Sequence, residues 1–162
     1  GRAPEPPQDS TVYPEVYIAV DSHFAKNVNT SNLLGYLVIF MAGVNLKLAD
    51  LTAPRVQLRL VGLLIGEVVD RSFYWYGKYV DAQQTITNFF RHLNPKMTNP
   101  DIFFILTGHD LIGLINNAYD PNLSGLSPLS GMCTWGRNAL ISEDTYESFA
   151  GIDVAAHEFG HM

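Results

Sequence analysis

The sequence predicts an α/β fold: a mostly parallel sheet with helices packed against it. Three observations carry this. Apolar, β-rich runs recur at 16–20, 55–61 and 101–107, helix-periodic segments separate them, and the connections are long enough for crossovers.

Val16-Tyr17-Ile18-Ala19-Val20 is rich in β-branched and aromatic residues and stops at Asp21-Ser22, so it reads as a first, buried strand. Ser31-Asn32 then offers capping side chains before an apolar run, which predicts a first helix over 32–49. Pro54 breaks the chain, and Arg55 to Val61 alternates polar with apolar as a half-buried second strand should. Phe73 to Gly77 reads as an aromatic connector without chemistry. Ala82, Ile86, Phe89, Phe90 and Leu93 recur at helical spacing, predicting a second helix over 81–93 that Asn94-Pro95 ends. Asp101 to Thr107 is a continuous apolar run, fitting a central strand covered on both faces. Beyond Gly108 the chain is loop-rich, with shorter strands expected at 126–130 and 139–142.

At 162 residues the chain suits one domain, and 47% hydrophobic with 16% charged residues is the composition of a folded protein. The expected division is a flexible leader or propeptide remnant at 1–14, rich in proline, and one globular unit at 15–162. A net charge of -6 leaves no basic surface for a phosphate backbone, so nucleic acid is not an expected partner. The longest uncharged apolar run, Leu33 to Val44, falls short of the roughly 20 residues that cross a bilayer. No membrane span is expected. The sequons at Asn29 and Asn122 are candidate glycosylation sites, and the single Cys133 is either a free thiol or half of a disulfide whose partner lies outside the chain.

The last segment places Phe149, Ile152, Ala156 and Phe159 at helical spacing, predicting a helix within 145–162. His157 and His161 are then i and i+4, so both imidazoles leave one helix face one turn apart, where one zinc ion can take both. Glu158 points about 100° away, beside the ion without ligating it, which suits a carboxylate that moves protons during peptide hydrolysis. Gly160 inside the helix implies a packing reason such as a close neighbouring backbone.

His157-Glu158-Phe159-Gly160-His161 resembles the start of the metzincin signature, which continues with a glycine and a third metal-binding histidine. Upstream, residues 15–21, 56–64, Leu106-Thr107-Gly108-His109-Asp110 and Gly125 to Cys133 resemble the strands of the adamalysin or reprolysin branch. Ser142-Glu143-Asp144 through Gly151 is similar to its salivary members from ticks. The resemblance implies a secreted zinc endopeptidase of which this chain is the amino-terminal subdomain, interrupted after the second zinc histidine and inactive alone. Further carboxy-terminal domains would follow. It implies an antiparallel edge strand whose Leu126, Ser127, Leu129 and Ser130 line the cleft for protein or peptide substrates, with Pro128 costing one hydrogen bond. It also implies a Cys133 disulfide to a later cysteine, and Glu15 and Asp110 as ligands of the calcium ion found in some members. His23, His92 and His109 read as ordinary histidines, His109 being nearest the cleft side. Two alternatives stay open: a non-catalytic homologue that binds proteins through the edge strand, and another HExxH family whose third ligand is a downstream glutamate.

Overall fold

The computed structural model describes residues 10–93 and 99–162. The expected leader, as far as residue 9, and the Asn94-Pro95 stop lie outside the described residues.

The chain order is β1 (Thr11–Val12), β2 (Glu15–Val20), α1 (Thr30–Leu48), β3 (Arg55–Val56), β4 (Arg59–Ile65), α2 (Glu67–Ser72), β5 (Trp75–Tyr76), β6 (Tyr79–Asp81), α3 (Ala82–His92), β7 (Ile102–Thr107), β8 (Leu111–Ile115), β9 (Ala118–Asp120), β10 (Gly125–Leu126), β11 (Ala139–Glu143) and α4 (Ile152–His161). The main sheet has the order β10-β11-β7-β2-β4, parallel throughout except for the antiparallel edge strand β10. β7 is the central strand and all six of its residues are buried, as its unbroken apolar run requires.

Strand alternation divides the core in two. Val16, Ile18, Ile102, Phe104 and Leu140 face one layer, where α1 and α4 lie; Ala19, Phe103, Ile105, Ala139 and Ile141 face the other, packed by α3. The His157-Glu158-Phe159-Gly160-His161 segment is thus carried by a helix against the centre of the sheet.

Several expectations are corrected in detail. α1 begins at Thr30 because Asn29, not Ser31 or Asn32, is the cap: its side chain accepts from Asn32 N at 2.8 Å. At 19 residues α1 is long and apolar enough to cross a bilayer by composition, yet Leu33, Tyr36, Leu37, Phe40, Met41, Val44 and Leu48 are buried against the sheet. The expected second strand is two. Arg55–Val56 pairs parallel with Thr11–Val12, a segment within the expected leader, and Arg59–Ile65 joins the main sheet. Asn45 bridges the break, its side chain donating to Leu58 O at 3.0 Å and accepting from Leu58 N at 2.8 Å.

The aromatic connector is part of a second sheet, β5-β6-β8-β9. The strand expected over 126–130 ends at Leu126, because Pro128 has no N–H for a ladder and Ser130 turns the chain at φ 51°. α4 starts at Ile152, not near 145, since Glu147 and Phe149 hold positive φ of 70° and 55°.

Candidate active site

Gly151 is the N-cap of α4, and its lack of a side chain leaves the helix start without a local side-chain cap. Asp144 supplies one from a distance: its Oδ1 accepts from Gly151 N at 2.9 Å and from Ser148 Oγ at 3.0 Å. Its Oδ2 accepts a short hydrogen bond from Tyr36 on α1, and the Tyr36 oxygen accepts from Phe149 N at 3.0 Å. Burial and the adjoining Asp144 carboxylate push the Tyr36 hydroxyl well above its ordinary pKa. Gly151 is also required sterically, since a Cβ there would lie 2.3 Å from Glu143 O. These contacts fix the register of the helix relative to the sheet.

Ala155, Ala156 and Phe159 seat the helix in the core, Phe159 meeting Phe104 edge-on at 5.2 Å between ring centroids. That leaves His157 exposed and His161 half-buried on the opposite side, with their Nε2 atoms 3.0 Å apart. A tetrahedral zinc with Zn–N bonds of about 2.0–2.1 Å holds two ligand nitrogens about 3.3 Å apart, so the pair fits as two donors to one ion with a small adjustment. Among the described residues no group of three or more His, Cys, Asp or Glu side chains is placed to hold a metal.

Glu158 is buried, at 7% exposure, against the edge strand. Its Oε2 accepts from Ser127 Oγ at 2.6 Å. Close approach of strand and helix depends on Gly125: a Cβ there would lie 2.7 Å from Val154 Cγ1 and 3.0 Å from Glu158 Cγ. The sequence reading missed Gly125; a glycine opening an edge strand, where backbone must come near something else, was the available signal.

The other expected site residues fare unevenly. Ser127 reaches Glu158, while Leu126 is partly buried in the α3-side core and Leu129 is exposed. Ser130 N is taken by His161 O at 2.8 Å and Leu129 O by Arg137 Nη2 at 2.9 Å. These two backbone groups are thus engaged within the chain. Asp120, Asn122, Leu123, Ser124, Gly125, Asp153 and Val154 line an open cleft of about 420 Å³ with His157 and Glu158.

Glu15 and Asp110 are not brought together. Glu15 opens β2 and Asp110 follows the far end of the parallel neighbour β7, so they lie at opposite ends of the sheet. Asp101 is the carboxylate beside Glu15, its Oδ2 accepting from Glu15 N at 2.8 Å while Oδ1 accepts from Cys133 Sγ at 3.2 Å. Cys133 is an exposed free thiol here, its pKa raised by desolvation and then by Asp101.

His109 packs among His23, Phe73 and Trp75, and His92 lies in the last turn of α3, on the other face of the sheet from α4. Gly160 meets nothing within 4 Å of an added Cβ, so no close backbone explains it.

No family model matches the chain. Curated relatives do. An "A disintegrin and metalloproteinase with thrombospondin motifs like" protein of Bombyx mori is 29% identical over 93% of this chain and 24% of its own length. "Venom metalloproteinase 3" of Eulophus pennicornis is 27% identical over 98% of the chain and 41% of its own length. Human "A disintegrin and metalloproteinase with thrombospondin motifs 16" is 27% identical over 91% of the chain and 12% of its own length. The chain thus spans less than half of each of these relatives. A chain from a solved structure titled "Structure of a chaperone-substrate complex" superposes with a TM-score of 0.61 over 95% of this chain and 24% of that one, at 11% identity. That likeness bears on the fold alone.

Proposed function

We propose that this chain, related over nearly its whole length to the reprolysin-type metalloproteases, belongs to a zinc-dependent endopeptidase that cleaves extracellular proteins. The observation that carries the reading is the convergence of three groups on one helix: His157 and His161 with Nε2 atoms 3.0 Å apart, and Glu158 held beside them by Ser127.

His157 and His161 would hold the ion through Nε2, a further ligand coming from outside the described residues. Zinc in such a site supplies Lewis acidity, making a water acidic near neutral pH and polarising a peptide carbonyl. Glu158 has Oε2 engaged by Ser127. Oε1 is then the atom that takes a proton from the attacking water and delivers it to the departing amine. The side of β10 that has no partner strand among the described residues, at the end of the main sheet, would offer backbone groups to an extended peptide, the strand-addition mode that positions a scissile bond without demanding one sequence. Secretion is part of the same proposal, supported by a relative that is named a venom metalloproteinase.

The test is Glu158→Ala in the full-length polypeptide that carries this chain, assayed on a denatured protein. Loss of roughly a thousandfold or more in turnover, with zinc content unchanged, is expected of a removed general base. Cleavage at the wild-type rate by that variant, or by chelator-stripped protein, would sink the reading.

A further inference from the structure

We propose that Asn122 carries an N-linked glycan that stands at the mouth of the cleft and limits bulky protein substrates more than short peptides, an inference that rests on the protease reading of the same cleft. Asn122-Leu123-Ser124 meets the acceptor pattern for N-glycosylation. The structure adds where it falls. Asn122 is exposed in the turn that follows β9, and it is among the residues that line the cleft with His157 and Glu158.

The turn is held firmly. Asp120 Oδ1 accepts from Asn122 N at 2.9 Å and from Asn122 Nδ2 at 3.1 Å, and Leu123 packs onto Gly113 of β8, where a Cβ would lie 2.5 Å from Leu123 Cδ2. Nδ2 has two hydrogens and Asp120 uses one, so the other is open to substitution without breaking the turn. In the transfer the Nδ2–C1 bond forms, the C1–O bond of a lipid-pyrophosphate oligosaccharide breaks, and the displaced amide proton leaves with the pyrophosphate. An oligosaccharide fixed at this point is larger than a cleft of about 420 Å³ and must stand over its rim. The other sequon does not do this: Asn29 caps α1 and does not line the cleft.

The experiment uses the secreted full-length polypeptide made in a cell line that keeps glycans in the oligomannose form, so an endoglycosidase can trim each chain to one sugar with no change in sequence. Glycopeptide mass spectrometry should find Asn122 occupied; an unmodified Asn122 overturns the proposal. Binding is then read on the Glu158→Ala variant, by fluorescence anisotropy of a labelled folded protein and a labelled decapeptide, so the result does not depend on turnover. Trimming should tighten the protein by roughly fivefold or more and leave the peptide within about twofold, because only the bulky partner meets the glycan. Equal changes for both ligands, or no binding of either, overturn the gate. Binding with this ratio, but without cleavage by the wild type, upholds the gate and defeats the protease reading.

Discussion

Ser127 Oγ donates a 2.6 Å hydrogen bond to Glu158 Oε2, joining the segment after β10 to the carboxylate beside the two histidines. A hydrogen bond to a charged, buried acceptor is worth about 1.5–3 kcal/mol and holds one carboxylate oxygen in a fixed direction. Ser127→Ala should therefore lower kcat by about tenfold with KM little changed, because the bond aims a proton-transfer group and does not bind substrate. Ser127→Thr, which keeps the hydroxyl, should restore most of the loss. A fall in KM alone, or no rescue by threonine, would show that Ser127 acts otherwise.

Gly125 sets the distance across the same contact. An added methyl would lie 2.7 Å from Val154 Cγ1, inside any real carbon contact, and 3.0 Å from Glu158 Cγ. Gly125→Ala must push the edge strand from the helix, at a cost of about 1–3 kcal/mol for overpacking. Removing the clashing methyl with Val154→Ala should recover part of this stability, so the double variant should melt above Gly125→Ala. Additive losses in the two single variants would refute the contact as the cause.

What the sequence made legible follows from the length and burial of each element. β2, β7 and α1 declare themselves because long apolar runs leave few alternatives, and β7 even announces its central place by having no polar face. The second sheet was missed because its strands are two to five residues long: Trp75, Tyr76, Leu114 and Tyr119 are exposed, and the buried Val80, Leu111 and Ile112 fall in runs too short to impose a period. His157, Glu158 and His161 were legible because i and i+4 spacing on a helix is itself geometry. Ser127's contact with Glu158, 31 residues away, depends on tertiary packing that no local pattern encodes. The pairing of Glu15 with Asp110 failed for the same reason, since parallel register sends them to opposite sheet ends and brings Asp101 to Glu15 instead.

Tyr36 offers a test of how α4 is held. Its ring stacks on Phe149 at 4.3 Å between centroids, and its hydroxyl both donates to Asp144 and accepts from Phe149 N. Tyr36→Phe keeps the stacking and removes only the oxygen, leaving Phe149 N and an Asp144 oxygen without that partner. A loss of about 1–3 kcal/mol in urea unfolding is expected. Tyr36→Ala should cost more, because a cavity is added to the lost hydrogen bonds. Equal stability of Tyr36→Phe and wild type would remove the hydroxyl from the account.

Glu143 makes stability depend on pH in a direction that can be worked out. Burial raises its pKa above the ordinary value of 4.5, Asp110 adds to the rise, and the hydrogen bond from Leu111 N at 2.6 Å opposes it. An acid whose folded pKa exceeds its unfolded one binds its proton more tightly when folded. Its ionisation therefore lowers stability as pH climbs from 4.5 through the raised value, and the deficit stays constant above that window. Glu143→Gln keeps an Oε1 acceptor for Leu111 N but never ionises. The variant should melt above wild type near pH 7, and the difference should shrink toward about pH 4, where both side chains are neutral. A melting difference of the same size at both pH values would mean that the amide changes packing and that ionisation of Glu143 plays no part.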